Sequence, residues 1–138
     1  MSFAESIMDA GEAQLETAVQ ITRVAAGNLC DNVVDRSPVR TGTFRSNWQG
    51  VIEAGDIRSG LTIEELRPVE PKETIKREAR AVLERFDGLR PFFLYNPTPY
   101  GIFLEGGSSA QAPDGMIAVA AAMWPFFVRD AARQVGEV

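Results

Sequence analysis

Apolar residues recur at helical spacing through the first part of the chain. Phe3, Ile7, Leu15, Val19, Val24, Ala25, Leu29 and Val33 follow this period, with Ile21 beside them, and Asp9, Glu12, Glu16, Arg23 and Asp31 fill the opposite positions. Ser2-Phe3-Ala4-Glu5 has the form of a capping box, serine at the cap and glutamate three later. The pattern predicts one long helix from Ser2 to Asp35, within an opening segment 1–36. At 1.5 Å per residue it would be roughly 50 Å long. That is more than a compact domain of 138 residues needs, so part of it is expected to lie against something outside its own core. The alternative is a break near Gly11 or Gly27 into two shorter helices, since glycine inside a helix costs about 1 kcal/mol.

Pro38 ends this helix: it drives Ser37 out of the helical region and has no backbone donor. Thr41-Gly42-Thr43 supplies a turn, and Phe44–Ala54 reads as a strand. Residues 55–69 have no clear period and read as a loop or hairpin extension. A second helix, 71–87, opens at Pro71, carries the stripe Ile75, Ala79, Val82, Leu83 and Phe86, and closes at Gly88. Arg90–Asn96 is a short apolar run, expected to be a buried strand pairing with 44–54. Asn96-Pro97-Thr98-Pro99 is a rigid turn, Tyr100–Glu105 is either one helical turn or a short strand, and Gly106–Gly115 is a loop. The last stretch, 116–136, reads as a helix that Pro125 kinks or restarts, because an interior proline costs about 3 kcal/mol. The alternation of Ile117, Val119 and Ala121 leaves a strand over 116–122 as the other reading. The sum is one α+β domain, 1–138. Its long N-terminal helix and its C-terminal helix pack on a small, mostly antiparallel sheet, with one further amphipathic helix in the middle.

Composition narrows function mainly by exclusion. The hydrophobic content of 45% and charged content of 24% are those of an ordinary globular protein. No apolar run reaches the roughly 20 residues of a membrane helix, and the N-terminus has early acids and no basic region of the kind a signal peptide carries. The lone Cys30 has no partner for an internal disulfide, which fits a reducing compartment. A net charge of −5 argues against general binding to phosphate backbones. With no histidine, the nucleophile systems that use one are excluded within this chain, as are zinc sites built on histidine or on several cysteines. Gly106-Gly107-Ser108-Ser109-Ala110-Gln111 lacks the lysine and spacing of a phosphate loop. No catalytic residue, metal or cofactor site is expected.

Five features remain. Arg36, Arg40 and Arg45 beside the glycine turn read as ion-pair partners for this acidic chain's own carboxylates, or a neighbouring subunit's, before they read as phosphate contacts. Glu105 has no second acid nearby until Asp114, so a structural role is expected: a pair with an arginine such as Arg45, or a cap on exposed backbone amides. Trp48, Phe92, Phe93 and Tyr100 read as core, and Cys30 as a small buried hydrophobe. Trp124, Phe126 and Phe127 crowd around Pro125, more apolar surface than one short helix buries.

Three segments together resemble the tail-completion and tail-terminator family of tailed bacteriophages, the minor virion proteins of the head–tail joint. Pro38-Val39-Arg40-Thr41-Gly42, followed by Arg45 and Trp48, is similar to the family's Pro-Val-x-Thr-Gly turn. Pro99-Tyr100 with Leu104-Glu105 and Gly107 is similar to its Pro-Tyr-Ala and Leu-Glu-x-Gly, with Gly101 standing where alanine is usual. Ala112-Pro113 and Gly115-Met116 match its Ala-Pro-x-Gly-Met. The resemblance runs from about Ala25 to Ala131, and residues 55–89 carry no motif that aligns. It implies a structural virion protein without catalysis, assembled in the host cytoplasm as a ring, commonly a hexamer, on the end of the tail tube. Its partners would be itself, the tube protein and the head connector or stopper, with DNA passing the channel unbound. The long helix and the 55–69 extension are the expected contacts, and 55–69 and 106–115 are expected to order on assembly. The competing class is a small non-enzymatic α+β binding or regulatory module.

Overall fold

The structure is a computed structural model that describes residues 2–136; Met1 and residues 137–138, the ends of the predicted domain, lie outside the described residues. Helix α1 (Phe3–Arg36) is one uninterrupted helix. The Glu5 amide donates to Ser2 Oγ at 3.1 Å and the Ser2 amide donates to the Glu5 carboxylate at 2.8 Å, so two otherwise orphaned donors are satisfied reciprocally. Neither Gly11 nor Gly27 breaks it. At its end Ser37 takes an extended conformation before Pro38, and its hydroxyl donates back to Val33 O at 2.8 Å.

The chain continues through α2 (Thr43–Ser46), β1 (Gln49–Val51), α3 (Lys72–Leu83), β2 (Phe93–Tyr95), α4 (Gly101–Glu105), α5 (Ile117–Ala122) and α6 (Trp124–Gly136). The two strands pair antiparallel, Gln49 with Tyr95, Gly50 with Leu94 and Val51 with Phe93. The fold is α+β, with a long N-terminal helix, a C-terminal helix and a small antiparallel sheet.

Several boundaries differ from those the pattern predicts. The strand expected over 44–54 is confined to 49–51. Before it stands α2, a helical turn held by its own short side chains: Ser46 Oγ donates to Gly42 O at 2.7 Å and Asn47 Nδ2 to Thr43 O at 2.7 Å. Such local bonds compete with a ladder, and here they win. The helix expected over 71–87 is regular only to Leu83, after which tighter turns carry the chain to Phe86. Within the expected 97–115 turn and loop, Gly101–Glu105 is helical. The 116–136 helix is two, broken at Met123, with Pro125 in the first turn of α6, where its missing N–H costs least. Residues 117–122 are helix, not strand.

α3 lies antiparallel along the second half of α1. Lys76 pairs with Asp35 at 2.6 Å, Arg80 with Asp31 at 2.6 Å, and Arg23 Nε donates to Phe86 O at 3.0 Å. Gly27 makes room for this contact, since a Cβ there would stand 2.5 Å from the Arg80 guanidinium. One core group joins Val33 and Val34 to Phe44, Trp48, Ile75 and Met116. A second joins Ala26 and Cys30 to Ala79 and Leu83, and Leu94 on β2 reaches both groups. The third packs α6, through Phe127 and Ala131, on Ala25. Cys30 is fully enclosed; burial, aided by the nearby Asp31 charge, pushes its thiol up to about 12.

Among the described residues only the turn at Asp87 and Gly88 approaches the first half of α1, where a Cβ on Gly88 would stand 3.9 Å from Leu15 Cδ1. Every residue from Ser2 to Ala18 is exposed, a projection of about 25 Å. It carries Phe3 at 82% exposure, Ile7 at 56% and Leu15 at 53%, on the side that buries Ala25 and Val33 and half-buries Leu29 further along. No helix among the described residues is long and apolar enough to cross a membrane.

Candidate functional site

The residues singled out from the sequence gather at one corner, where the end of α1, α2, α4 and the loop before α5 meet. Pro38 is buried and Gly42 sits at φ 94°, a left-handed conformation that lets the chain reverse into α2. Thr41 and Thr43 hydroxyls bond across the turn at 3.1 Å. Phe44 lies edge-on to Trp48, ring centroids 5.5 Å apart, and tilted against Tyr100 at 6.3 Å. Trp48 Nε1 donates to Ser37 Oγ at 2.7 Å, which fastens α1's last turn to the aromatic group. Burial raises the Tyr100 phenol above its ordinary value.

Glu105 is a helix cap. Its carboxylate accepts the backbone amides of Met116 at 2.9 Å, Ile117 at 2.9 Å and Ala118 at 3.0 Å, the orphaned donors at the start of α5. Partial burial pushes its carboxyl up, but the three amides outweigh this and hold it below the ordinary glutamate range. The cap needs two glycines. Gly115, at φ 83°, lies so close that a Cβ would stand 2.5 Å from the Glu105 carboxylate, and a Cβ on Gly107 would collide with the Pro113 carbonyl.

The expected Arg45–Glu105 pair does not form, because the amides of α5 occupy the carboxylate. The surface ion pairs expected for Arg36, Arg40 and Arg45 are also not made with any described residue. Arg36 instead donates to Asn32 at 3.0 Å. Arg45 Nε is buried without a hydrogen-bond partner among the described residues.

Two open grooves flank the aromatic group. The larger, about 740 Å³, is lined by Pro38, Val39, Arg40, Thr41, Gly42, Phe44, Tyr100 and Leu104, with Ser108, Ser109 and Gln111 on the loop side. The smaller, about 440 Å³, includes Trp48, Pro99, Glu105 and Met116. Pro113 and Gly115 line a separate recess beside Arg36.

Pattern reading missed the polar side chains that tie this corner together. Gln111 accepts the Val39 amide at 2.9 Å and donates to Val39 O at 3.1 Å, imitating a strand partner. Asn47 exchanges two bonds with the backbone of Arg67, Glu70 N donates to Ser46 Oγ at 2.9 Å, and Asn96 Nδ2 donates to Phe44 O at 2.8 Å. The one available signal was a polar pair, Ser46-Asn47, inside an aromatic run. Among the described residues no three acidic or cysteine side chains group as a metal would require. The chain matches no protein-family model, no curated protein and no solved structure.

Proposed function

We propose that this chain is a structural protein of the head–tail junction of a tailed phage, one that forms a ring on the end of the tail tube and joins it to the head connector. The observation that carries the reading is the convergence of three separated segments on one corner. Pro38–Trp48, Pro99–Gly107 and Ala112–Met116 are joined there by the aromatic group, the Glu105 cap and the Gln111 clamp. The residues that carry the resemblance to the family thus meet in one physical task, a rigid corner from which α1 and the loops project. A fixed corner with projecting apolar elements suits a subunit whose work is contact and shape. In this reading the protein is no enzyme and needs no cofactor, and DNA crosses the channel unread past an acidic subunit.

Negative-stain microscopy of the protein, alone and with the tube protein encoded near it, tests the proposal. A six-fold ring with a central channel, on the tube or free, and flanking genes for portal, capsid and tube are the expected results. A compact monomer or dimer with flanking genes of unrelated kind would overturn it in favour of a cellular binding module.

A further inference from the structure

We infer that Met123 is a site of reversible oxidation to the sulfoxide, and that the oxidised side chain ties the junction of α5 and α6 more firmly to the end of α1. Met123 is the residue between those two helices, and it is half-buried. It packs at the edge of the group formed by Ala25, Phe127 and Ala131. Its sulfur also receives two N–H donors from α1, Asn32 Nδ2 at 3.8 Å and Arg36 Nη2 at 3.8 Å. Arg36 Nε donates in turn to Asn32 Oδ1 at 3.0 Å. The three side chains therefore close a ring, with the Asn32 amide turned so that its nitrogen faces the sulfur. Arg36 forms no ion pair with a described residue, and the neighbouring Asp35 is taken by Lys76.

Two strong donors are thus spent on a thioether, a weak acceptor. A sulfoxide oxygen is a strong one. Placed on the side the donors occupy, it falls within hydrogen-bonding reach of both, and the bond from the Arg36 cation is of the stronger, charge-assisted kind. The oxidant is a peroxide. The sulfur lone pair attacks one peroxide oxygen, the S–O bond forms and the O–O bond breaks. Sulfur gives up two electrons, and hydrogen peroxide leaves as water. Methionine sulfoxide reductases reverse the change. A sulfoxide ordinarily loosens apolar packing; at Met123 the waiting donors reverse the sign. The other described methionines lack this arrangement: Met116 is 1% exposed, and Met8, 64% exposed on the first half of α1, has no donor at its sulfur among the described residues. Cys30, sealed and protonated, does not compete for the oxidant.

Limited hydrogen peroxide on the full chain, read by peptide mass spectrometry and thermal melting, tests this. Met123 is expected to oxidise about tenfold faster than the enclosed Met116. Met8→Leu removes the exposed methionine of α1 from the measurement. In that background the oxidised protein is expected to melt about 3 °C above the reduced one, and sulfoxide reductases to take the gain away. Asn32→Ala and Arg36→Ala each remove one donor, and circular dichroism checks that they fold. Oxidation of either is expected to give a smaller rise, and oxidation of the variant lacking both donors a fall. Met8→Leu with Met123→Leu, given the same dose, is expected to keep its melting temperature. Met123 oxidised no faster than Met116, an oxidised form that melts at or below the reduced one, a gain that survives loss of both donors, or the same gain without Met123 would each overturn the proposal.

Discussion

The two halves of α1 carry the same apolar side through opposite surroundings. From Val24 onward it is roofed by α3 and α6, and Ala25, Cys30, Val33 and Val34 are fully enclosed. From Ser2 to Ala18 it faces water, held by its own backbone bonds, the Ser2–Glu5 capping box, Ser6 and Thr17 bonding back to Ser2 and Ala13, and one approach of Leu15 to the Gly88 turn. A helix of this length is marginal by itself in water, and most helical stability comes from packing. One continuous element therefore contains a part the fold stabilises and a part it does not, and the boundary falls near Val19, where Gly88 brings the loop after α3 against the helix.

Hydrogen exchange of dilute protein is the strongest way to break that comparison. Amides of residues 24–34 are expected to exchange at least about a thousandfold more slowly than those of 6–16, because the first open only with the core and the second by fraying. Equal protection along α1 would mean its first half is covered even in the monomer. The same experiment on assembled protein bears on 55–69 and 106–115, which are expected to gain protection there.

Side-chain truncation comes next in size. Val33→Ala is expected to cost about 2 kcal/mol in urea unfolding, a buried methyl pair lost and a small cavity left. Leu15→Ala should stay within about 0.5 kcal/mol, as at other surface positions. A large loss at Leu15 in dilute monomer would show that its approach to the Gly88 turn stabilises the body.

Glu105→Gln is expected to cost about 1–2 kcal/mol at pH 7, through weakened charge-assisted bonds to the start of α5. The folded-state carboxyl titrates below its unfolded value of about 4.3. Its contribution is thus fully present above that value and fades as pH falls through the folded one. The gap between wild type and variant should close on acidification; a gap that widens would assign the cap to another group.

The smallest test compares two glycines in one helix. Gly11→Ala meets nothing and should raise the helicity of the exposed half by about 1 kcal/mol of propensity. Gly27→Ala has the same propensity to gain, yet its Cβ must displace the Arg80 guanidinium, which bonds to Asn28 and Asp31. It should give no gain in melting temperature. A gain at Gly27 equal to that at Gly11 would show that Arg80 moves aside freely.

These contrasts mark which features the amino-acid order reveals. α1 was legible because a 3.6-residue period, a capping box and a terminal Ser-Pro agree over a long span, and α3 because Pro71 and Gly88 bracket its stripe. α2 was not, since the aromatic and β-branched residues of Phe44–Ala54 read as one strand, and only the bonds of Ser46 and Asn47 to Gly42, Thr43 and the distant Arg67 bend its start into a turn. Glu105 was legible as structural, with an arginine or backbone amides as its two expected partners, but the sequence did not decide between them. Opposite charge pointed to Arg45, while the amides that hold the carboxylate come into reach only when the glycine-rich loop folds back at Gly107 and Gly115. The aromatic patch at Pro125 divided in a way its composition does not announce: Phe127 is buried against α1, and Phe126 remains exposed.

The placement of Cys30 gives the molecule a built-in reporter. It is the sole thiol, it lies beneath α3 on the roofed half of α1, and at neutral pH it stays protonated and sealed. An alkylating reagent can therefore mark the protein only during moments when helices part, and the rate of labelling counts those moments directly. The exposed half of α1 can fray without uncovering that sulfur, so labelling follows the opening of the body alone.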